Sequence, residues 1–187
     1  MQRLAILLLA AGLACATAKP IARTPALLGR PVELALSDIA GRRVDVAADE
    51  GKVRVVDFWA TWCEPCREAL PFLDAMQREQ GARGLSVYAV TVDEDLSQIR
   101  AFLEQVPVEF PILWDRGGMR YADAFEIQRL PTTYVIDRKG IVRFVHEEYD
   151  EAVAGETREQ VEMLLAEPAT PTPTATPTVT PTPSGNP

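Results

Sequence analysis

The chain has 187 residues, room for one domain of about 100–150 residues plus extensions. Its composition, 47% hydrophobic and 25% charged, is that of a globular domain rather than a disordered chain. Nineteen basic against 27 acidic residues give a net charge of −8, which argues against a nucleic-acid binder. Three cysteines are too few for a disulfide scaffold, and a single histidine excludes a multi-histidine metal centre.

Residues 1–18 read as a secretory signal: Arg3 near the start, an apolar run from Leu4 to Leu13, and a small-residue exit. The run is shorter than the ~20 residues a membrane span needs. Two exits are open. Ala16-Thr17-Ala18 fits an A-x-A cleavage, and Gly12-Leu13-Ala14-Cys15 resembles a lipoprotein box that would put a lipid on Cys15. Either places the mature protein outside the cytoplasm, in the periplasm or cell envelope, touching the membrane only through a lipid at Cys15. At the other end, residues 168–187 hold seven of the 15 prolines and no charge, with threonine at every second position from Thr170 to Thr182. Such a tract has no apolar face to bury and favours extended polyproline II, so a disordered tail is expected there.

Residues 19–167 carry the fold. Val32 to Leu36 and Arg43 to Val46 flank Gly41 as a small hairpin. Val53 to Trp59 is a β-rich run that reads as a buried strand, and a helix should follow from Cys63 to Gln80. Leu85 to Val92 reads as a second buried strand, followed by a helix capped by Asp95 and Gln98 that carries Ile99, Phe102 and Leu103. Phe110 to Trp114 is a short strand and Met119 to Phe125 a short helix. Thr133 to Ile136 and Ile141 to Val145 flank Arg138-Lys139-Gly140 as a hairpin, and an amphipathic helix closes the domain from Thr157 to Ala166. Strands alternating with helices and ending in a hairpin plus helix predict an α/β fold with a mixed sheet.

The chemistry is concentrated in Trp62-Cys63-Glu64-Pro65-Cys66. A C-x-x-C at a strand-to-helix junction puts the first cysteine at the helix start, where free amides and the macrodipole favour its thiolate. Cys63 can attack a disulfide and Cys66 can resolve the product, while Pro65 loses nothing by lacking an amide hydrogen in a first turn. The other readings are a permanently closed disulfide or half of a zinc site. Zinc normally needs four ligands, and the exported chain offers two cysteines and His146.

Val56-Asp57-Phe58-Trp59-Ala60-Thr61-Trp62-Cys63-Glu64-Pro65-Cys66 resembles the active-site stretch of the thioredoxin superfamily. The hairpin, Arg67-Glu68, Pro71, Phe110-Pro111-Ile112-Leu113 and Leu130-Pro131-Thr132-Thr133-Tyr134-Val135-Ile136-Asp137 are similar to its exported TlpA/ResA-like redoxin branch. The resemblance implies a thioredoxin fold with an N-terminal hairpin and a thiol–disulfide oxidoreductase. It implies disulfide-bearing exported substrates, with apocytochrome c as one candidate, and an electron-donating membrane thiol reductase as partner. It also implies that Pro131 is cis and faces the C-x-x-C, with Leu130 and Thr132 beside it. By sequence alone Leu130-Pro131 reads as an ordinary trans turn, since only ~5–6% of X-Pro bonds in folded proteins are cis.

Asp57 is a departure, since many members of this branch carry asparagine there. Among large apolar neighbours a buried aspartate is the favoured reading, with a pKa raised by desolvation that suits proton exchange with Cys66. The alternative is a strand-edge carboxylate in water. The lysine that thioredoxins place near this aspartate is matched by Ala89 here. Glu64 complements the macrodipole yet sets a negative charge beside Cys63, two opposed effects. The functional glutamate of ResA-like members falls at Ala69, so its role does not pass to Glu68, which reads as a solvated helix residue. His146 reads as structural or edge-exposed.

Two other functions fit the elements. A redoxin-type thiol peroxidase would carry proline and Thr/Ser seven and three residues before its cysteine, where this chain has Val56 and Ala60. A copper carrier of this fold would resemble C-x-x-x-C. No NAD, flavin or haem motif is present, so no cofactor beyond a redox-active Cys63–Cys66 disulfide is expected.

Overall fold

A computed structural model describes residues 27–168. The export signal read at residues 1–18, with Cys15, and the Pro/Thr tract from residue 169 onward lie outside the described residues.

The elements run β1 (Ala35–Ser37), β2 (Arg43–Asp45), β3 (Val53–Trp59), α1 (Cys66–Gln80), β4 (Leu85–Thr91), α2 (Leu96–Gln105), β5 (Ile112–Trp114), α3 (Tyr121–Ala124), β6 (Thr132–Ile136), β7 (Val142–His146) and α4 (Glu151–Ala166). Five strands form one mixed sheet in the order β5-β4-β3-β6-β7. β3 pairs parallel to β4 and antiparallel to β6, so it lies at the centre and its seven residues are all buried. A strand covered on both faces reads as a continuous apolar run, as this one does apart from Arg54 and Asp57.

Period-2 alternation divides the core between the two faces of the sheet. Val55 and Trp59 of β3, Val87 of β4 and Val135 of β6 pack with Leu70 and Leu73 of α1, Phe102 of α2 and Val161 of α4. Val56 and Phe58, with Tyr88, Val90 and Tyr134, face the opposite side and meet the N-terminal segment and Phe125 after α3. The N-terminal hairpin forms its own two-stranded sheet, and Tyr121 anchors it by donating to the Ala35 carbonyl at 3.2 Å and accepting from its N–H at 3.1 Å.

Two helices differ from the sequence reading. α4 starts at Glu151, six residues before Thr157, because Asp150 caps it by accepting from the Val153 N–H at 2.8 Å. α1 starts at Cys66 rather than Cys63. Cys66 N–H donates to the Cys63 carbonyl, Arg67 N–H to Glu64 and Glu68 N–H to Pro65, three tight turns that replace the first regular helical bonds. Among the described residues no helix is long and apolar enough to cross a membrane.

Candidate active site

β3 delivers the chain to the C-terminal end of the parallel strands at Trp59, and Ala60 to Pro65 turn it back into α1. Asp93, just beyond β4, accepts from the Thr61 N–H at 2.9 Å and from the Thr61 hydroxyl at 2.8 Å. Thr91 donates to the same carboxylate at 2.6 Å, and Asp93 is itself 4% exposed. The loop is thereby pinned two residues before Cys63. Cys63 N–H closes a turn onto the Ala60 carbonyl at 3.1 Å.

Cys63 and Cys66 form a disulfide. Cys63 is 5% exposed and Cys66 fully buried, whereas Trp62 beside them is 72% exposed. The amides of Cys66, Arg67 and Glu68 are bonded within the turns rather than free. The positive end of the α1 macrodipole remains as the electrostatic support of Cys63. Glu64 is exposed and forms a solvated pair with Arg67 at 3.8 Å. The Arg67 guanidinium lies over the Phe102 ring at 4.7 Å, and Phe102 packs on Trp59 at 5.0 Å. A cation therefore sits one residue after Cys66, held by packing rather than by Glu64 alone.

Asp57 lies on the β3 face that Val55 and Trp59 present to the cluster containing Cys63 and Cys66. It is fully buried, and burial pushes its carboxyl up to about 7, opposed by one hydrogen bond that Thr133 donates to Oδ1 at 2.7 Å. Its Oδ2 is buried without a partner. The residue directly opposite on β4 is Ala89, so no cation comes from that side.

Leu130-Pro131 is a cis peptide bond, Pro131 is buried, and Leu130 packs against the cluster that holds the cysteines. Thr132 donates to the Arg129 carbonyl at 2.8 Å and closes the turn that leads into Pro131. Trp62, Leu130, Val92, Ile127 and the Gly117-Gly118 turn line a cleft of about 350 Å³. The structure thus brings Trp62 and Leu130 to one cleft, packs Leu130 against the cluster that holds the disulfide, and places Asp57 on the β3 face turned to that cluster. Glu68 is exposed on α1, and His146 lies on the edge strand β7, bonded to Gln160 at 2.8 Å.

Sequence reasoning missed three contributors. Asp93 sits in Val92-Asp93-Glu94-Asp95, which reads as a polar loop. The Gly117-Gly118 turn reads as a connector. Thr133 carried a usable signal, since it shares parity with Val135 and so faces the same side as Asp57.

Residues 29–145 match the AhpC/TSA family. The chain belongs to that family. It is 34% identical to the thioredoxin-like protein YneN of Bacillus subtilis over 117 residues, 61% of this chain and 67% of that one. It is 28% identical to the thiol–disulfide oxidoreductase ResA of Bacillus thuringiensis over 130 residues, 70% of this chain and 71% of that one. A thiol:disulfide interchange protein, DsbE, from Chlorobium tepidum superposes with a TM-score of 0.70 at 30% identity, covering 76% of this chain and 99% of that one. This AhpC/TSA member is a thiol–disulfide oxidoreductase with a thioredoxin fold, and it carries a C-x-x-C pair.

Proposed function

We propose that this oxidoreductase works outside the cytoplasm, reducing disulfides of exported proteins, with cytochrome c maturation as its setting. The resemblance to the TlpA/ResA-like branch and the export signal read at residues 1–18 support the location and the setting. The observation that carries the chemistry is the unequal burial of the pair, together with a buried carboxylate on the same side of the sheet that has one oxygen free. Cys63, the more accessible residue of the pair and the neighbour of exposed Trp62, is the attacking thiol. Cys66, fully buried, is the resolving thiol.

In the reduced enzyme the Cys63 thiolate attacks one sulfur of the substrate disulfide. A Cys63–substrate disulfide forms, and the first substrate thiolate leaves and takes up a proton. Asp57, ionised near neutral pH, accepts the Cys66 proton, and the Cys66 thiolate attacks Cys63 Sγ. The second substrate thiolate leaves, so the substrate gains two electrons and the enzyme pair becomes the disulfide seen in the structure. Asp57 returns its proton when an external dithiol, of the kind a membrane thiol reductase supplies, reduces the pair again. Extended substrate lies against Trp62 and pairs with the backbone at Leu130, just before the buried Pro131. No step calls on a resident cofactor.

A redoxin peroxidase would carry proline and Thr/Ser where this chain has Val56 and Ala60, both apolar and fully buried. Trapping tests the proposed order: Cys66→Ser should accumulate a mixed disulfide through Cys63, and Cys63→Ser should neither reduce nor trap. Trapping through Cys66 in the Cys63→Ser protein, with none in the reverse case, would overturn it.

A further inference from the structure

We propose that Thr133 is a positioning residue for the proton step: its hydroxyl holds one oxygen of Asp57 so that the other is the free acceptor on the dithiol side. The inference rests on the proposed role of Asp57 and adds to it a residue from the strand beyond the catalytic turn.

Three observations carry it. Thr133 lies directly opposite Asp57 in the β3–β6 ladder, and its hydroxyl donates to Oδ1 at 2.7 Å. Asp57 and Thr133 are 0% and 7% exposed, so bulk water does not compete for this bond. Oδ2 has no partner, so the carboxylate is anchored at one oxygen and open at the other. Leaving one oxygen of a buried carboxylate unpaired costs stability, and a role for that oxygen accounts for its being kept.

The other groups on this face leave the task to Thr133. From β4 comes Ala89, which has no polar atom, and the head of α1 brings the Cys63–Cys66 pair. His146 of β7 stands opposite Thr133, one strand further out, with its ring bonded to Gln160 of α4. Thr133 is the group that contacts the carboxylate itself. A hydroxyl donated to a carboxylate favours the ionised form and fixes the plane of the group. It opposes the upward push of burial, so the acid still ionises within reach of neutral pH. Without the hydroxyl, the base would be scarcer at pH 7 and free to rotate.

The test mixes the reduced protein with oxidised glutathione and follows decay of the Cys63–glutathione disulfide by stopped flow from pH 5 to pH 9. Thr133→Val keeps the β-branched shape and removes the donor, Thr133→Ser keeps the donor, and circular dichroism checks that each variant folds. Thr133→Val should slow resolution about tenfold at pH 7, the scale of one charge-assisted bond, and displace the rising limb to higher pH. Thr133→Ser should restore the wild-type profile. In an Asp57→Asn background Thr133→Val should add nothing, because the group it positions no longer takes the proton. A wild-type profile for Thr133→Val beside a slow Asp57→Asn would overturn this inference alone. A wild-type rate for Asp57→Asn would remove the base and the inference together. Slowing by Thr133→Val that serine does not rescue, or that adds fully to Asp57→Asn, would mean a packing role and would overturn it too.

Discussion

Asp93 accepts from both the backbone N–H and the hydroxyl of Thr61, so the end of β4 holds the loop that presents Cys63. The two residues follow adjacent parallel strands, whose ends the sheet brings together. This carboxylate touches neither sulfur, yet it decides where the turn from Ala60 to Pro65 lies.

Asp93→Ala would leave the Thr61 N–H and the Thr91 hydroxyl without their acceptor in a site that is 4% exposed. The expected cost is about 1–3 kcal/mol of stability, read by urea denaturation. Reduction of a protein disulfide should slow as well, because the loop is no longer held in one position. Unchanged stability and unchanged rate would show that the clamp is dispensable.

Trp62 is 72% exposed and lines the cleft with Leu130. Trp62→Ala should therefore leave stability within about 0.5 kcal/mol of wild type. It should raise KM for a protein substrate several-fold while leaving exchange with glutathione nearly unchanged, since only the larger substrate covers the cleft. Equal losses on both substrates would place Trp62 in the chemistry rather than in docking.

Asp57→Asn should stabilise the oxidised protein, and the gain should depend on pH. The folded carboxyl is pushed up to about 7 from its ordinary value of 3.8. Below pH 4 the acid is protonated in both states and there is no penalty. Between about pH 4 and pH 7 the unfolded chain ionises while the folded one resists, so the penalty grows by about 1.4 kcal/mol per pH unit. Above pH 7 both states ionise and the penalty levels off, on the order of 4 kcal/mol at most. Asparagine removes it while its side-chain oxygen still accepts from Thr133. Urea denaturation of both proteins at pH 4 and pH 8 checks this; an equal difference at the two pH values would contradict a buried, displaced acid.

Gly118 has φ +67°, and a Cβ there would stand 3.1 Å from the Ala122 Cβ and 3.6 Å from Val92. Gly118→Ala should cost about 1–2 kcal/mol from the left-handed backbone alone. The shift needed to relieve the Ala122 contact falls on the wall of the cleft, so KM for a protein substrate should rise with kcat little changed. A variant as stable as wild type would show that the turn relaxes freely.

The cysteine pair, its strand-to-helix setting, the buried β3 run and the closing hairpin were all legible along the chain. Each depends on residues close in sequence: period-2 alternation, Gly140 in a turn, cysteines three apart. The start of α4 was hidden because Gly155 and the glutamates around it weaken the apolar periodicity, and only the Asp150 cap marks the boundary. The start of α1 was misplaced because local composition does not reveal that the amides after Cys63 close tight turns.

What the sequence by itself determined is the chemistry available: two thiols, a carboxylate inside an apolar strand, a proline followed by two threonines. What only the tertiary structure decided is which of these meet. Thr133 is 76 residues from Asp57 in the chain, and antiparallel pairing of β3 with β6 sets them face to face. Thr61 and Asp93 are 32 residues apart and meet because β3 and β4 run parallel and end together. The type of the leading cis peptide and the burial of Cys66 below Cys63 are likewise products of packing. Strand register couples positions remote along the chain, and backbone hydrogen bonding across the sheet, which sets that register, leaves no mark in the spacing of any one segment.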